Sequence, residues 1–474
     1  MLHTIRTRIE NRVATIAANL ANIRHGATVV KFAVWVGVAL IYSHFVINFG
    51  FNLHGMPSRD LPSFYTASVA TFKLHQSPYS LASLNQLADQ QVFSYVYPPP
   101  SLLFFYPFSL VSFPQAQLLM LVLNHGFVLL SAYLLMQVLP ISVYTNPVKV
   151  GLLCGYILLL TPINTTIQYG QIGLVLLVLL LAFWRLAQQH RPVLAGALLA
   201  LAVVLKVYPV LLLPLLLIVR RYRETAATLV WIALISVAAG IILPAALWSD
   251  WFFNVVPMGG YGHVPPDLFS PALPWNLSIH GFFARLFTDS LWTQGMFTHV
   301  NGMQTATLCT YITAGILITI SLVALAKHRT RSLESRLHHV MMVGLPLIFL
   351  VAPLSWIHHT VHLIPAVLAL MITQPRILTR YTLLYRLSVG VIAVILISRQ
   401  ASLYLPAVLF IWLLHIELVL QPEVSFPSLS PRLKKPQHPP KSSMNAVVSG
   451  IAVASAAPNS RSPIPDSQFP FPDS

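Results

Sequence analysis

Long apolar runs separated by short polar turns recur along the chain from Thr28 to Leu420. The first, TVVKFAVWVGVALIYSHFVINFG (Thr28 to Gly50), is long enough at about 1.5 Å per residue to cross a hydrocarbon core of about 30 Å. The pattern predicts an all-α polytopic membrane protein, a bundle of roughly nine to twelve transmembrane helices with re-entrant or short segments and loops on the outer side. Ahead of the first run, Ile5, Ile9, Val13, Ile16, Leu20 and Ile23 recur at helical spacing beside Arg6, Arg8 and Arg12, so residues 1–27 read as a basic amphipathic helix on the cytoplasmic membrane surface, with an Arg-rich transit peptide as the alternative. Residues 28–420 form the membrane body. The Pro/Ser-rich tail, 421–474, has too few large apolar residues to bury and is expected to be disordered.

Cations mark the turns. Lys149, then Arg185 and Arg191, then Arg220, Arg221 and Arg223, then Lys327, Arg329, Arg331 and Arg336, then Arg376, Arg380 and Arg386 predict cytoplasmic loops. Every other long loop then lies outside, provided that two segments fail to cross. Pro100 to Pro114 is short and interrupted by Pro107. Val193 to Val219 carries Lys206 and Pro209 in its middle and suits two half-helices in a re-entrant hairpin, because a central Lys is tolerated only beside protein or water.

Only 8% of the residues are charged, against roughly a quarter in soluble domains, so lipid is the solvent for most of the chain. The net charge of +16 is scattered between apolar runs instead of forming a basic stripe, which excludes a nucleic-acid partner. Cys154 and Cys309 both sit inside apolar runs, away from any redox or zinc pattern.

With 12 acidic residues in the whole chain, a carboxylate at a membrane face stands out. Asp60 follows the first crossing by ten residues and must sit near the outer surface, where it could take a proton from a hydroxyl; a helix cap or an ion pair with Arg59 is the alternative. Tyr97 and Pro98 to Pro100 make a stiff extended turn entering the membrane, suited to interface anchoring or to sugar stacking. Gln171, in NTTIQYGQIG, offers an amide in a turn that suits a carbohydrate or simply ends a helix. Lys206 requires an anionic partner or an interface. Trp275, Asn276, Ser278, His280 and Arg285 crowd one outer loop, and Arg285 could grip a phosphate with both arms or pair with Asp267 or Asp289. Finally, His358, His359 and His362 follow Trp356; on an α-helix His358 and His362 would share a face, yet without a nearby carboxylate or Cys a phosphate contact or proton transfer fits better than a metal.

In order, these pieces resemble the GT-C membrane glycosyltransferases, specifically glycosyltransferase family 87, the polyprenyl-phosphate-mannose-dependent alpha-1,2-mannosyltransferase group. The likeness runs from about Arg59 to Pro365: Asp60 with Tyr65, YPP at Tyr97 to Pro99, YGQIG at Tyr169 to Gly173, AGALLALAVVLKVYP at Ala195 to Pro209, NLSIHGFFARL at Asn276 to Leu286 and PLSWIHH at Pro353 to His359. Gly173 stands where the family often has Asn, and Ile357 where it often has an acidic residue. The resemblance implies an inverting, metal-independent and cofactor-free enzyme of the cell membrane. Such an enzyme moves a sugar, mannose first among the candidates, from a polyprenyl-phosphate donor to a glycan or glycolipid acceptor on the non-cytoplasmic side. It assigns Asp60 as the base. His358 or His359, Lys206 and Arg285 would face the departing phosphate, while Arg59, Tyr65, Tyr97, Gln171, Asn276 and Trp356 would contact substrate. A transporter or flippase of lipid-linked sugars would place ionisable residues near the midplane. A non-catalytic scaffold of glycan assembly would have no need for Asp60 and the histidines to converge.

Overall fold

Proline, glycine and polar turns divide the apolar runs into helices where the backbone can find partners outside lipid. The computed structural model describes residues 24–50, 60–88, 91–139, 146–263, 270–291, 293–327, 331–372 and 382–421, together with Arg12. All of these lie in the first of two units, Met1–Leu429 and Ser430–Ser474. Arg59, Asp267, most of the basic start and the tail beyond Gln421 fall outside the described residues.

Among the described residues every regular element is helical. The first described elements are α1 (Arg24–Gly50), α2 (Leu61–Phe72), α3 (Leu81–Ala88), α4 (Ser101–Ser109) and α5 (Phe113–Val138). Next come α6 (Pro147–Leu159) and α7 (Thr161–Tyr169), a pair bent by 49°, then α8 (Gly173–Gln188) and α9 (Pro192–Leu205). A 3₁₀ turn, Tyr208–Leu211, leads to α10 (Leu212–Ile218), α11 (Tyr222–Ile242) and α12 (Ala245–Asp250). The amphipathic loop helix α13 (Ile279–Phe287) precedes α14 (Gly302–Ala326) and α15 (Leu333–Val351). A second 3₁₀ segment, Ile357–Leu363, is followed by α16 (Ile364–Ile372), α17 (Thr382–Ile397) and α18 (Tyr404–Leu420).

Five helices are each long and apolar enough to cross a bilayer, and the bent pair brings this to six if it forms one span. The shorter apolar helices include α8, α9 and α17. The chain is therefore a polytopic all-α membrane protein. In α15, 78% of the most apolar stretch is buried, whereas in α11 the share is 17%, so α15 lies in the core and α11 turns Leu229, Val230, Leu234, Val237 and Ile241 outward.

The run from Val193 to Val219 forms two half-helices, α9 and α10, with Lys206 and Val207 at the break. Its ends meet, because Arg221 Nη2 donates to the Ala187 carbonyl at 2.9 Å. Its middle lies far from them: Lys206 contacts His359, whose turn is tied to Gly173 at the start of the 16-residue α8, about 21 Å of helix away from Ala187. The geometry is that of a hairpin. The Pro100 to Pro114 segment forms only the nine-residue α4, with Pro107 inside it.

Arginines gather where helices end. Arg185 donates to Gln137 near the end of α5, Arg221 to Ala187 in the last turn of α8, Arg336 to Val219 after α10 and Arg331 to Gln421 after α18. Each guanidinium meets carbonyls that have no partner within their own helix and that carry the negative end of the helix dipole. Glu224 adds a buried ion pair to Arg221 at 2.7 Å.

The hairpin packs on α11 through backbone contact at Gly196, where an added Cβ would lie 2.5 Å from Ala227 Cβ and 2.7 Å from the Thr228 nitrogen. Gly196→Ala should therefore force the helices apart and lower stability by about 1–3 kcal/mol. Gly37→Ala, in α1 with nothing within 4 Å of the new methyl, should leave it unchanged or raise it. Thermal unfolding of the two variants in detergent checks the contrast, and equal melting temperatures would refute it.

Candidate active site

Asp60 takes its position from a backbone turn. Its N–H donates to the Tyr169 carbonyl at 3.1 Å, and Gly170 beside that carbonyl sits at φ +66°, where a Cβ would lie 2.6 Å from Leu61 Cβ. Only glycine lets the Tyr169–Gly173 turn close so tightly on the start of α2. The Asp60 side chain makes no capping bond to α2 and is half-buried. Its carboxylate lies near enough to Tyr97 and Lys206 to act electrostatically on both.

The segment bearing Tyr97 is fixed by its backbone. Tyr79 Oη donates to the Tyr97 carbonyl at 2.9 Å, Trp251 Nε1 to Val96 at 3.3 Å, and Ser101 Oγ to Pro98 at 2.6 Å. The Tyr97 phenol is pushed well above its ordinary value, chiefly by burial and then by the Asp60 carboxylate, while the Gln171 side chain acts in the opposite direction. It therefore stays protonated and can donate. Gln171 Oε1 is buried without a hydrogen-bond partner.

Lys206 and the histidines complete the cluster. Lys206 Nζ lies 2.8 Å from His359 Nε2 and 5.5 Å from the ring centres of Tyr97 and of Tyr208. The Trp356 N–H donates to His359 Nδ1 at 3.3 Å. His358 packs edge-on against His359 with ring centres 4.4 Å apart, and its Nε2 is buried without a partner. His362 Nε2 meets the Gly173 carbonyl at 3.2 Å and its Nδ1 lies 3.2 Å from Tyr208 Oη.

The expectation that His358 and His362 share a face fails, because Ile357–Leu363 is a 3₁₀ helix. With about three residues per turn, the aligned pair is His359 and His362, and both face Tyr208. Among the described residues no group of three or more His, Cys, Asp or Glu is placed to hold a metal ion.

Other residues singled out in the sequence are engaged elsewhere. Asn276 is fully buried, donating to Pro271 at 3.0 Å and Pro353 at 3.3 Å while its Oδ1 accepts from Ser278 Oγ at 2.9 Å and the Ser355 N–H at 3.1 Å. Arg285 Nη1 donates to the Leu273 and Asn276 carbonyls at 2.7 and 2.8 Å. These bonds fasten the loop that carries α13 to the turn before the histidines. Tyr65 donates to Val111 at 3.0 Å, bracing α2 against the turn between α4 and α5. Thus Asp60, Tyr97, Gln171, Lys206, His358 and His359 come together, with Trp356 contributing its backbone, whereas Tyr65, Asn276 and Arg285 are held by the scaffold.

Two further residues were not singled out. Tyr208 joins the cluster two positions after Lys206, and Asp250 accepts from Ser77 Oγ at 2.6 Å beside Tyr79. Proximity to Lys206 was the available signal for the first, and the scarcity of carboxylates for the second.

An all-helical membrane protein with a carboxylate, a lysine and imidazoles gathered at one end, away from its helix-capping arginines, has the parts of a membrane transferase. The family model of glycosyltransferase family 87 matches residues 95–353, more than half of the chain, and the chain belongs to that family. It is therefore a membrane glycosyltransferase. Asp60, His358 and His359 lie outside the matched stretch. No curated protein and no solved structure matches the chain.

Asn276→Ala should lower stability by about 1–3 kcal/mol, since it strips partners from buried backbone groups, as read by thermal unfolding. An unchanged melting temperature with lost activity would instead make Asn276 a ligand contact. His280, on α13, is held down to about 4 by burial, with Nε2 accepting from the Gly262 N–H and Nδ1 beside Thr310. Its unfolded value is about 6.5. The unfolded form thus binds the extra proton between these values, so the stability His280 contributes is complete above about pH 6.5 and declines as pH falls toward 4. His280→Gln should flatten that decline in melting temperature measured from pH 7 to pH 4.5.

Proposed function

We propose that the chain transfers a sugar, with mannose the first candidate, from a polyprenyl-phosphate donor to a hydroxyl of a glycan or glycolipid acceptor. The observation that carries this reading is the convergence of Asp60 with the Lys206–His359 pair. A non-catalytic scaffold would not need that convergence.

In this reading Asp60 takes the proton of the acceptor hydroxyl as its oxygen attacks the anomeric carbon. The bond from that carbon to the phosphate oxygen breaks, its electrons pass to the phosphate, and polyprenyl phosphate departs; a single displacement inverts the anomeric centre. Lys206, with His358 or His359, stabilises the charge developing on the phosphate, so a metal ion is not required. The Tyr97 phenol and the unpartnered Gln171 Oε1 are poised to bond sugar hydroxyls. Trp356, beside the imidazoles, and Arg59, beside the base, would line the donor. Arg285, Asn276 and Tyr65 shape the loops around it. The catalytic unit would span residues 28–420.

Orientation follows from the arginine-rich end, which the positive-inside rule assigns to the cytoplasm, leaving the site on the opposite side of the cell membrane. Cysteines introduced at exposed Gln304 or Ser249 should react with an impermeant thiol reagent from the non-cytoplasmic side; labelling from the cytoplasmic side alone would reverse the orientation.

Purified protein given a panel of polyprenyl-phosphate sugars and an acceptor glycan should release polyprenyl phosphate from at least one of them. Asp60→Asn should lower the rate by about 100- to 10,000-fold with an unchanged melting temperature. Release from no donor, or full turnover by Asp60→Asn, would overturn the reading.

A further inference from the structure

The donors around His359 fix a protonation state. A backbone N–H can only donate, and that of Trp356 points at His359 Nδ1 from 3.3 Å, so this nitrogen presents a lone pair. A neutral imidazole then carries its one hydrogen on Nε2. That nitrogen stands 2.8 Å from Lys206 Nζ, a distance at which two N–H donors would repel. One of the pair has to accept, and Nε2 could do so only as an imidazolate.

We propose that Lys206 is an uncharged amine in the ligand-free protein, accepting the His359 Nε2–H, and that an anionic phosphate group enters the site together with one proton. The second half rests on the phosphate donor proposed above; the first half does not.

Several groups face Nζ. Asp60 at the start of α2 and the ring faces of Tyr97 and Tyr208 favour the ammonium form, while His358, His359 and His362 would oppose it if charged. Burial of the amine, first, and the His359 contact with it hold Nζ uncharged against the Asp60 carboxylate and the ring faces. When phosphate oxygens arrive, Nζ takes one proton from solvent and becomes an ammonium. The Nε2–H then loses its acceptor, and both groups turn their hydrogens to the phosphate. No other bond is made or broken, and the medium loses one proton for each anion bound.

The full-length protein in detergent would be treated briefly with acetic anhydride from pH 7 to pH 9, and each lysine's acetylation rate read by peptide mass spectrometry. An ordinary lysine is an amine in only about one molecule in 2,500 at pH 7, so the rate for an unstructured lysine peptide added as an internal reference should rise about 100-fold over that range. Lys206 should rise less than about threefold, a ratio that does not depend on how easily the reagent reaches it. A rise parallel to that of the reference peptide overturns the proposal. Calorimetry with farnesyl phosphate in buffers of different ionisation enthalpy should then give uptake of about one proton at pH 7 in the native chain and none in Lys206→Met. Binding without proton uptake overturns the second half. A flat Lys206 profile combined with no binding of farnesyl phosphate supports the amine and rejects the phosphate donor.

Discussion

The close approach of the Tyr169–Gly173 turn to the first residues of α2 is the constraint on which the site depends. It orients Asp60 through a backbone bond, presents Gln171 toward Tyr97, and offers the Gly173 carbonyl to His362. Residues separated by some 300 positions thereby meet through one left-handed glycine. The polar groups involved would be intolerable in lipid singly, and together they supply one another with partners.

Charge is divided between the two ends of the bundle for a reason rooted in the backbone. Carbonyls at helix ends require donors, and arginine supplies several from one side chain that is always charged. Arg185, Arg221, Arg331 and Arg336 each meet such a carbonyl. The other end adds hydroxyls, imidazoles and one lysine around Asp60, with Arg285 alone tying its loop to the Leu273 and Asn276 carbonyls.

Much of the fold was legible because apolar length and helix-breaking residues are local signals. The Lys206 and Pro209 pair foretold the hairpin, and Pro107 the short α4. What stayed hidden depends on distant partners or on helix type. Asn276 and Arg285 read as ligand contacts, because nothing in NLSIHGFFARL reveals that Pro353 and Ser355 lie against it. The alignment of His359 with His362 follows from a 3₁₀ geometry that α-helical spacing cannot anticipate. Tyr208, next to a proline, looks like an ordinary interfacial aromatic until Lys206 and His362 are placed beside it.

The hairpin of α9 and α10 enters and leaves the bundle side by side, with Ala187 joined to Arg221. In architectural terms it is an insert: excised whole, it would leave every later helix threaded in the same direction. Such a segment is free to change in length and in the residue at its tip without rethreading the protein. Lys206 therefore occupies a position where a lineage could retune the chemistry of the site while conserving the frame around it.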